Sequence, residues 1–163
     1  QALLKVDRFE WVIQKATELG VAALSPLVTR HTVVRLSSEQ ALTRRQRWQR
    51  IATEAAKQCQ RATIPVIHPP LSLEALLRQV EGTSLILIPT LSVTTIPLQE
   101  VLAASQAGRE VVALIGPEGD FSPEEVALAE KFGARPVSLG PLTLRAETAA
   151  IALLAILQHV LGS

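Results

Sequence analysis

The residues best suited to chemistry gather in three short segments. Gly116-Pro117-Glu118-Gly119-Asp120-Phe121 follows an apolar run at residues 110–115. Leu139-Gly140-Pro141-Leu142-Thr143-Leu144-Arg145-Ala146-Glu147-Thr148 follows another, and Pro89-Thr90 follows a third. Such segments lie beyond the C-terminal ends of strands, where open α/β sheets bind ligands. Gly116 and Gly119 let the backbone turn sharply and come close to a ligand. Glu118, an acid between two glycines, serves either a ligand or the cap of a neighbouring helix. Arg145 and Glu147 open a helix that is otherwise apolar. Burying charge is costly unless it is paired or used. The two therefore form a structural ion pair or act on a substrate.

Other chemistries lack their residues. His31, His68 and His159 are scattered, with no metal-ligand spacing to Cys59 or to an acid. His159 reads as a core or interface residue, and Cys59 as a small buried hydrophobe on its helix face. There is no G-x-G-x-x-G, no phosphate-cradling G-x-x-x-x-G-K-[ST] and no G-x-S-x-G elbow.

The elements that must carry these residues follow from periodicity. Asp7 and Glu10 read as a capping box opening a helix with Phe9, Val12, Ile13, Ala16 and Leu19 on its apolar face, stopped by Gly20. Residues 21–28 and 32–36 read as short strands. Ser38 or Thr43 caps a helix running to about Gln60. Residues 65–67 form a strand and 75–80 a helix begun at Ser72. Residues 85–88 are wholly apolar, as in a buried parallel strand. A looser segment with Pro97 leads into a helix reaching Ala107. Residues 110–115 form the next strand. Ser122-Pro123-Glu124-Glu125 opens a helix that ends at Phe132 and Gly133. A strand at 136–139 and a helix at 145–161 complete the chain. That last helix is apolar on nearly every side, so it is buried in the core or against a partner. Alternating helices and apolar strands predict one α/β domain over residues 1–163 with a mainly parallel sheet.

Composition narrows the function. The 163 residues are 48% hydrophobic and 19% charged, which excludes disorder, and one cysteine excludes a disulfide scaffold. The longest apolar stretch, 151–161, is too short to span a membrane and no signal peptide opens the chain, so no membrane role and a reduced, cytoplasmic setting are expected. The chain begins at Gln1 and has no methionine, as a piece of a longer protein would. Residues 1–61 carry net +6 and residues 62–163 net −5. Arg47, Arg50, Lys57 and Arg61, spaced three and four apart with Glu54, line one face of one helix. This face meets an anionic partner or is simply solvated.

Three blocks resemble a known family. They are Phe9-Glu10-Trp11-Val12-Ile13-Gln14-Lys15-Ala16-Thr17-Glu18-Leu19-Gly20-Val21, Ile115-Gly116-Pro117-Glu118-Gly119 with Phe121, and Leu139-Gly140 with Leu144-Arg145-Ala146-Glu147-Thr148-Ala149. Arg47-Trp48, Glu54-Ala55, Gln58-Cys59-Gln60-Arg61 and Pro65 fit between them. In this order and over essentially the whole chain they resemble the bacterial 16S ribosomal RNA (uracil-N3)-methyltransferases of the SPOUT class, enzymes of ribosome biogenesis.

The resemblance implies a SPOUT-like α/β knot, in which the C-terminal part threads a trefoil. It implies an obligate homodimer through the helix from Arg145. It implies S-adenosyl-L-methionine bent into the knot and held by Leu87, Pro89, Thr90, Ile115, Gly116, Pro117, Glu118, Gly119, Leu139, Gly140, Leu142, Leu144 and Arg145. Methyl transfer would go to N3 of a uridine in 16S rRNA or the small ribosomal subunit, with no metal. Arg145 would stabilise negative charge developing on the uracil, and Glu147 or Glu118 would orient it or accept the N3 proton. Arg47, Arg50, Lys57 and Arg61 would meet RNA phosphates. Three features depart from the family. The N-terminal RNA-binding β-barrel has no counterpart here, Asp120 stands where a second glycine is usual, and Leu142-Thr143 replaces a basic and an aliphatic residue. A non-catalytic RNA-binding or ribosome-assembly module on the same fold is the alternative. The Arg-Ala-Glu-Thr and Gly-Pro-Glu-Gly blocks favour the enzyme.

Overall fold

A computed structural model describes residues 1–82, 84–91, 93–105 and 110–161. The chain enters from the core. Residues 1–4 are buried, and Ala2 bridges Leu27 in parallel. Helix α1 (Val6–Glu18) then starts directly, with Lys5 as N-cap and no side-chain cap. Asp7 therefore sits in the first turn, not at the cap. The reason is Glu10, whose carboxylate is drawn to Arg47 at 2.6 and 2.8 Å instead of closing a capping box. At its other end α1 closes as the sequence indicates. The Val21 amide donates to the Ala16 carbonyl and Gly20 to Thr17, with Gly20 at φ +87. Gly20 is also a contact point: a Cβ there would stand 2.7 Å from Gln158 Oε1.

Residues 21–28 do not form one strand. Ser25-Pro26 divide them into β1 (Ala23–Leu24) and β2 (Leu27–Val28), which pair in parallel with separate partners, β3 (Val66–Ile67) and β4 (Leu71–Ser72). Residues 32–36 are not a strand either. Buried Thr29 and Thr32 bond to each other through their hydroxyls at 2.8 Å and make a tight turn there. Helix α2 (Ser38–Gln58) is capped by Ser37, one residue ahead of Ser38, in a capping box with Gln40. Helix α3 (Leu73–Val80) is capped by Ser72.

The main sheet holds β5 (Ser84–Pro89), β6 (Ile96–Pro97), β7 (Glu110–Ala113) and β8 (Arg135–Ser138), all parallel, in the order β6-β8-β5-β7. Helix α4 (Leu98–Ala103) stops short of Ala107, which lies outside the described residues. Helix α5 (Pro123–Lys131) has the Ser122/Glu125 capping box expected, with proline in its first turn. Helix α6 (Ala146–Leu161) follows β8.

Successive β5 side chains point to opposite faces of the sheet. Leu87 joins a core with Phe9, Ile13, Trp48 and Leu153 from α1, α2 and α6. Ile86 and Ile88 join a second core with Leu77, Phe121 and Val126, on the side of α3 and α5. The sheet is thus buried on both faces, which its uninterrupted apolar run requires. Phe9 and Trp48 stack at 4.7 Å between centroids, tilted by 49°. Truncating either to alanine would cost about 3–5 kcal/mol.

Two burial expectations change. In α6 only the stripe Ala146, Ala150, Leu153 and Leu157 is buried, while Ile156, Val160 and Leu161 are exposed, as is His159. Cys59 is half-buried at the α2 C-cap, its Sγ donating to the Ala56 carbonyl at 3.6 Å.

Candidate active site

Three connections meet at the C-terminal ends of the central strands and enclose a cleft of about 710 Å³. They are residues 89–91 and 93–95 after β5, residues 115–120 after β7, and residues 137–146 from the end of β8 to the start of α6. Parallel pairing aligns these strand ends, which is why segments far apart in sequence share one cleft.

Pro89, Thr90, Ile115, Gly116, Pro117, Glu118, Leu139, Gly140, Leu142, Leu144 and Arg145 all line it. Leu87 does not, because its side chain is wholly buried in the core and its carbonyl accepts the Leu114 amide. Gly119 faces away from the cleft, toward His31. Arg8, Thr95 and Ser138 also line the cleft without any signal in the sequence, and Asp120 and Thr143 line it from the two segments singled out above.

Asp120 has a definite structural role. Its Oδ2 accepts the Thr90 hydroxyl and the Leu91 amide, each at 2.8 Å, and Oδ1 accepts the Phe121 amide at 2.8 Å. The acid thus joins the connection after β5 to the glycine loop. It does so from a left-handed backbone, φ +59, where glycine would be easier.

Arg145 and Glu147 do not pair with each other. The Arg145 carbonyl accepts the Ala149 amide, so the residue stands at the head of α6. Its exposed side chain lines the cleft and has no ion pair or hydrogen bond among the described residues. Arg8 of α1 takes both acids. Its Nη1 lies 3.2 Å from Glu118 and its Nε 3.9 Å from Glu147. Glu147 is mostly buried, and its Oε2 has no hydrogen-bond partner among the described residues. The result is a cation free to meet an anion, beside two carboxylates held by a second cation. Such a group can stabilise developing negative charge and relay a proton.

The α2 stripe is not four free cations. Arg47 grips Glu10 with two bonds, which hold its guanidinium above its ordinary pKa. Lys57 pairs with Glu54 at 2.8 Å. Arg61 donates to the carbonyls of Thr17 and Val21 at 2.7 and 3.0 Å, closing the C-terminus of α1. Arg50 is exposed and lines a shallow groove of about 560 Å³ with Arg45, Gln46, Gln49 and Thr53.

Among the described residues no three His, Cys, Asp or Glu side chains are grouped to hold a metal, and no helix is long and apolar enough to cross a membrane.

The model of the RNA methyltransferase domain family matches residues 1–158. The chain belongs to this family. It is 37% identical over 163 residues to the ribosomal RNA small subunit methyltransferase E of Synechocystis sp., covering 99% of this chain and 52% of that protein. It is 31% identical over 151 residues to the Bacillus subtilis protein of the same name, covering 90% of this chain and 59% of that protein. The chain thus spans little more than half the length of these relatives. Two solved structures share the fold over 98% of this chain and 64% of theirs. One is a methyltransferase from Legionella pneumophila in complex with the bound cofactor SAM, at TM-score 0.87 and 38% identity. The other is a ribosomal RNA small subunit methyltransferase E from Neisseria gonorrhoeae bound to S-adenosyl methionine, at TM-score 0.88 and 31% identity.

Proposed function

We propose that this chain is the catalytic domain of an S-adenosylmethionine-dependent methyltransferase acting on N3 of a uridine in 16S ribosomal RNA. The observation that carries this reading is Arg145, a free guanidinium in a cleft lined by residues of two of the matching blocks, the glycine loop and the Arg145 segment. Residues 1–163 form one unit in this reading. Its setting is the cytoplasm, where ribosomal subunits are built.

The cleft fits the cofactor. Its volume lies in the range of small-ligand sites. Apolar residues such as Ile115, Leu139 and Ala149 would hold the adenine and ribose edges, and Gly116 and Gly140 would offer backbone groups to it. Glu118 would face the positive charge. When bound, the cofactor supplies a methyl group already activated by its sulfonium.

The chain's own residues must orient the uracil and deal with its N3 proton. Arg145 would stand against the negative charge that grows on the uracil as N3 loses that proton. Glu118 or Glu147, held by Arg8, would take the proton or steer Arg145. Arg50, exposed on α2, would face phosphates, with Arg47 and Lys57 on the same helix and Arg61 just beyond it adding positive charge from within their pairings.

The fold proposed is the trefoil knot. Support comes from β8, which is last in sequence yet lies between β5 and β6, with its outgoing connection beside Pro89, Thr90 and Leu91. The assembly proposed is a homodimer through α6, whose outer face leaves Ile156 and Val160 uncovered, with Trp11 exposed on the adjoining α1.

Calorimetric titration with S-adenosylmethionine tests the reading. One site per chain is expected. Arg145→Ala should keep that site while methyl transfer to small subunits falls about 10²- to 10³-fold. A chain that binds no cofactor, or an Arg145→Ala variant that transfers as well as wild type, overturns it.

A further inference from the structure

We infer that His31 is a positioning residue for the glycine loop and thereby sets cofactor affinity, an inference that rests on the cofactor reading of the cleft. His31 Nδ1 lies 2.9 Å from the Gly119 carbonyl and 3.0 Å from the Asp120 carbonyl. Carbonyls only accept, so Nδ1 carries the proton and donates to both. The two carbonyls belong to the loop whose Gly116, Pro117, Glu118 and Asp120 line the cleft. His31 does not line it. It holds the loop from behind.

The fastening has further points. The Arg30 amide donates to Glu125 Oε1 at 2.8 Å, and Glu125 Oε2 accepts the Ser122 amide at 2.9 Å. Thr29 and Thr32 close the turn that presents both Arg30 and His31. Residues 29–32 therefore form a strap across residues 119–125. The strap packs closely on position 119: a Cβ there would stand 3.1 Å from His31 Cβ, so a larger residue would need His31 to give by a few tenths of an ångström. A loop already fixed in place loses less freedom when ligand binds, so the strap contributes to affinity without touching ligand.

His31→Ala removes the donor. His31→Leu keeps bulk without a donor. His31→Asn puts an amide N–H at the position of Nδ1. Loss of one net hydrogen bond predicts S-adenosylmethionine binding about fivefold weaker for Ala and Leu, and Asn within about twofold of wild type. In turnover the loss should fall on KM for the cofactor, with kcat at saturation little changed. The Asp120 amide, which donates to Pro117, should exchange its hydrogen faster in the Ala variant without ligand. Ala and Leu variants that bind as wild type, or an Asn variant as weak as Ala, overturn the inference. If wild type binds no cofactor, the functional reading falls and the affinity claim with it. Unchanged amide exchange would then also remove the strap.

Discussion

Arg8 on the first helix and Glu118 in the glycine loop meet at 3.2 Å across 110 residues of sequence. The same guanidinium lies near Glu147 at the head of the last helix. One arginine thus relates both candidate acids to a single point on the cleft wall. Both Arg8 and Glu118 are more than a third exposed, so their pair adds under about 1 kcal/mol to stability. Its larger effect is on geometry. Arg8→Ala should leave the thermal midpoint within a few degrees yet lower methyl transfer about tenfold, with Arg8→Lys between. Wild-type turnover in Arg8→Ala would show that the two acids need no such holding.

Asp120 separates two effects that a single substitution mixes. Asp120→Ala loses three accepted bonds and keeps a side chain at positive φ. A cost of about 2–3 kcal/mol is expected from denaturant unfolding. Asp120→Gly loses the same bonds but relieves the backbone, and should be about 1 kcal/mol less damaging than Ala. Equal losses would mean that the left-handed backbone carries no strain here.

The outer and inner faces of α6 should respond differently to charge. Leu153 is fully buried, and Leu153→Glu should unfold the chain. Ile156 is 39% exposed in the protomer, so Ile156→Glu should fold and give a monomer by sedimentation. Ile151 and Leu154 are half-buried, and Glu at either should impair both properties. A dimeric Ile156→Glu variant would put the interface elsewhere.

Arg50 and Arg61 lie on one sequence stripe but have different surroundings. Arg61→Ala removes donors from two carbonyls at the end of α1 and should cost about 1–2 kcal/mol of stability. Arg50→Ala should leave stability unchanged, weaken RNA binding and reduce the slope of log affinity against log salt by about 1. Stability loss in Arg50→Ala with an unchanged salt slope would reverse these roles.

Local chemistry made much of this protein legible in one dimension. Capping at Ser122 and Ser72, the glycine stops at Gly20 and Gly133, and the apolar strand 85–88 depend on neighbours a few residues away, so pattern alone located them. The glycine loop and the Arg145 segment were recognisable because glycines and charges in apolar surroundings are costly without a use. Partner choice was not legible. Glu10 could have capped α1, but Arg47 from another helix offers a two-bond charge pair and wins it. Residues 21–28 could have made one strand, but the Ser25-Pro26 break lets each half pair with a different segment. Arg145 and Glu147 are two residues apart on a helix start, where side chains do not face each other, so Glu147 turned to Arg8. Asp120 and His31 look like surface polar residues until folding brings carbonyls and amides from distant segments against them. Propensity and periodicity act through neighbours along the chain. A side chain's hydrogen-bond partner is set by which segments the packed sheet brings together, and only the tertiary structure decided that.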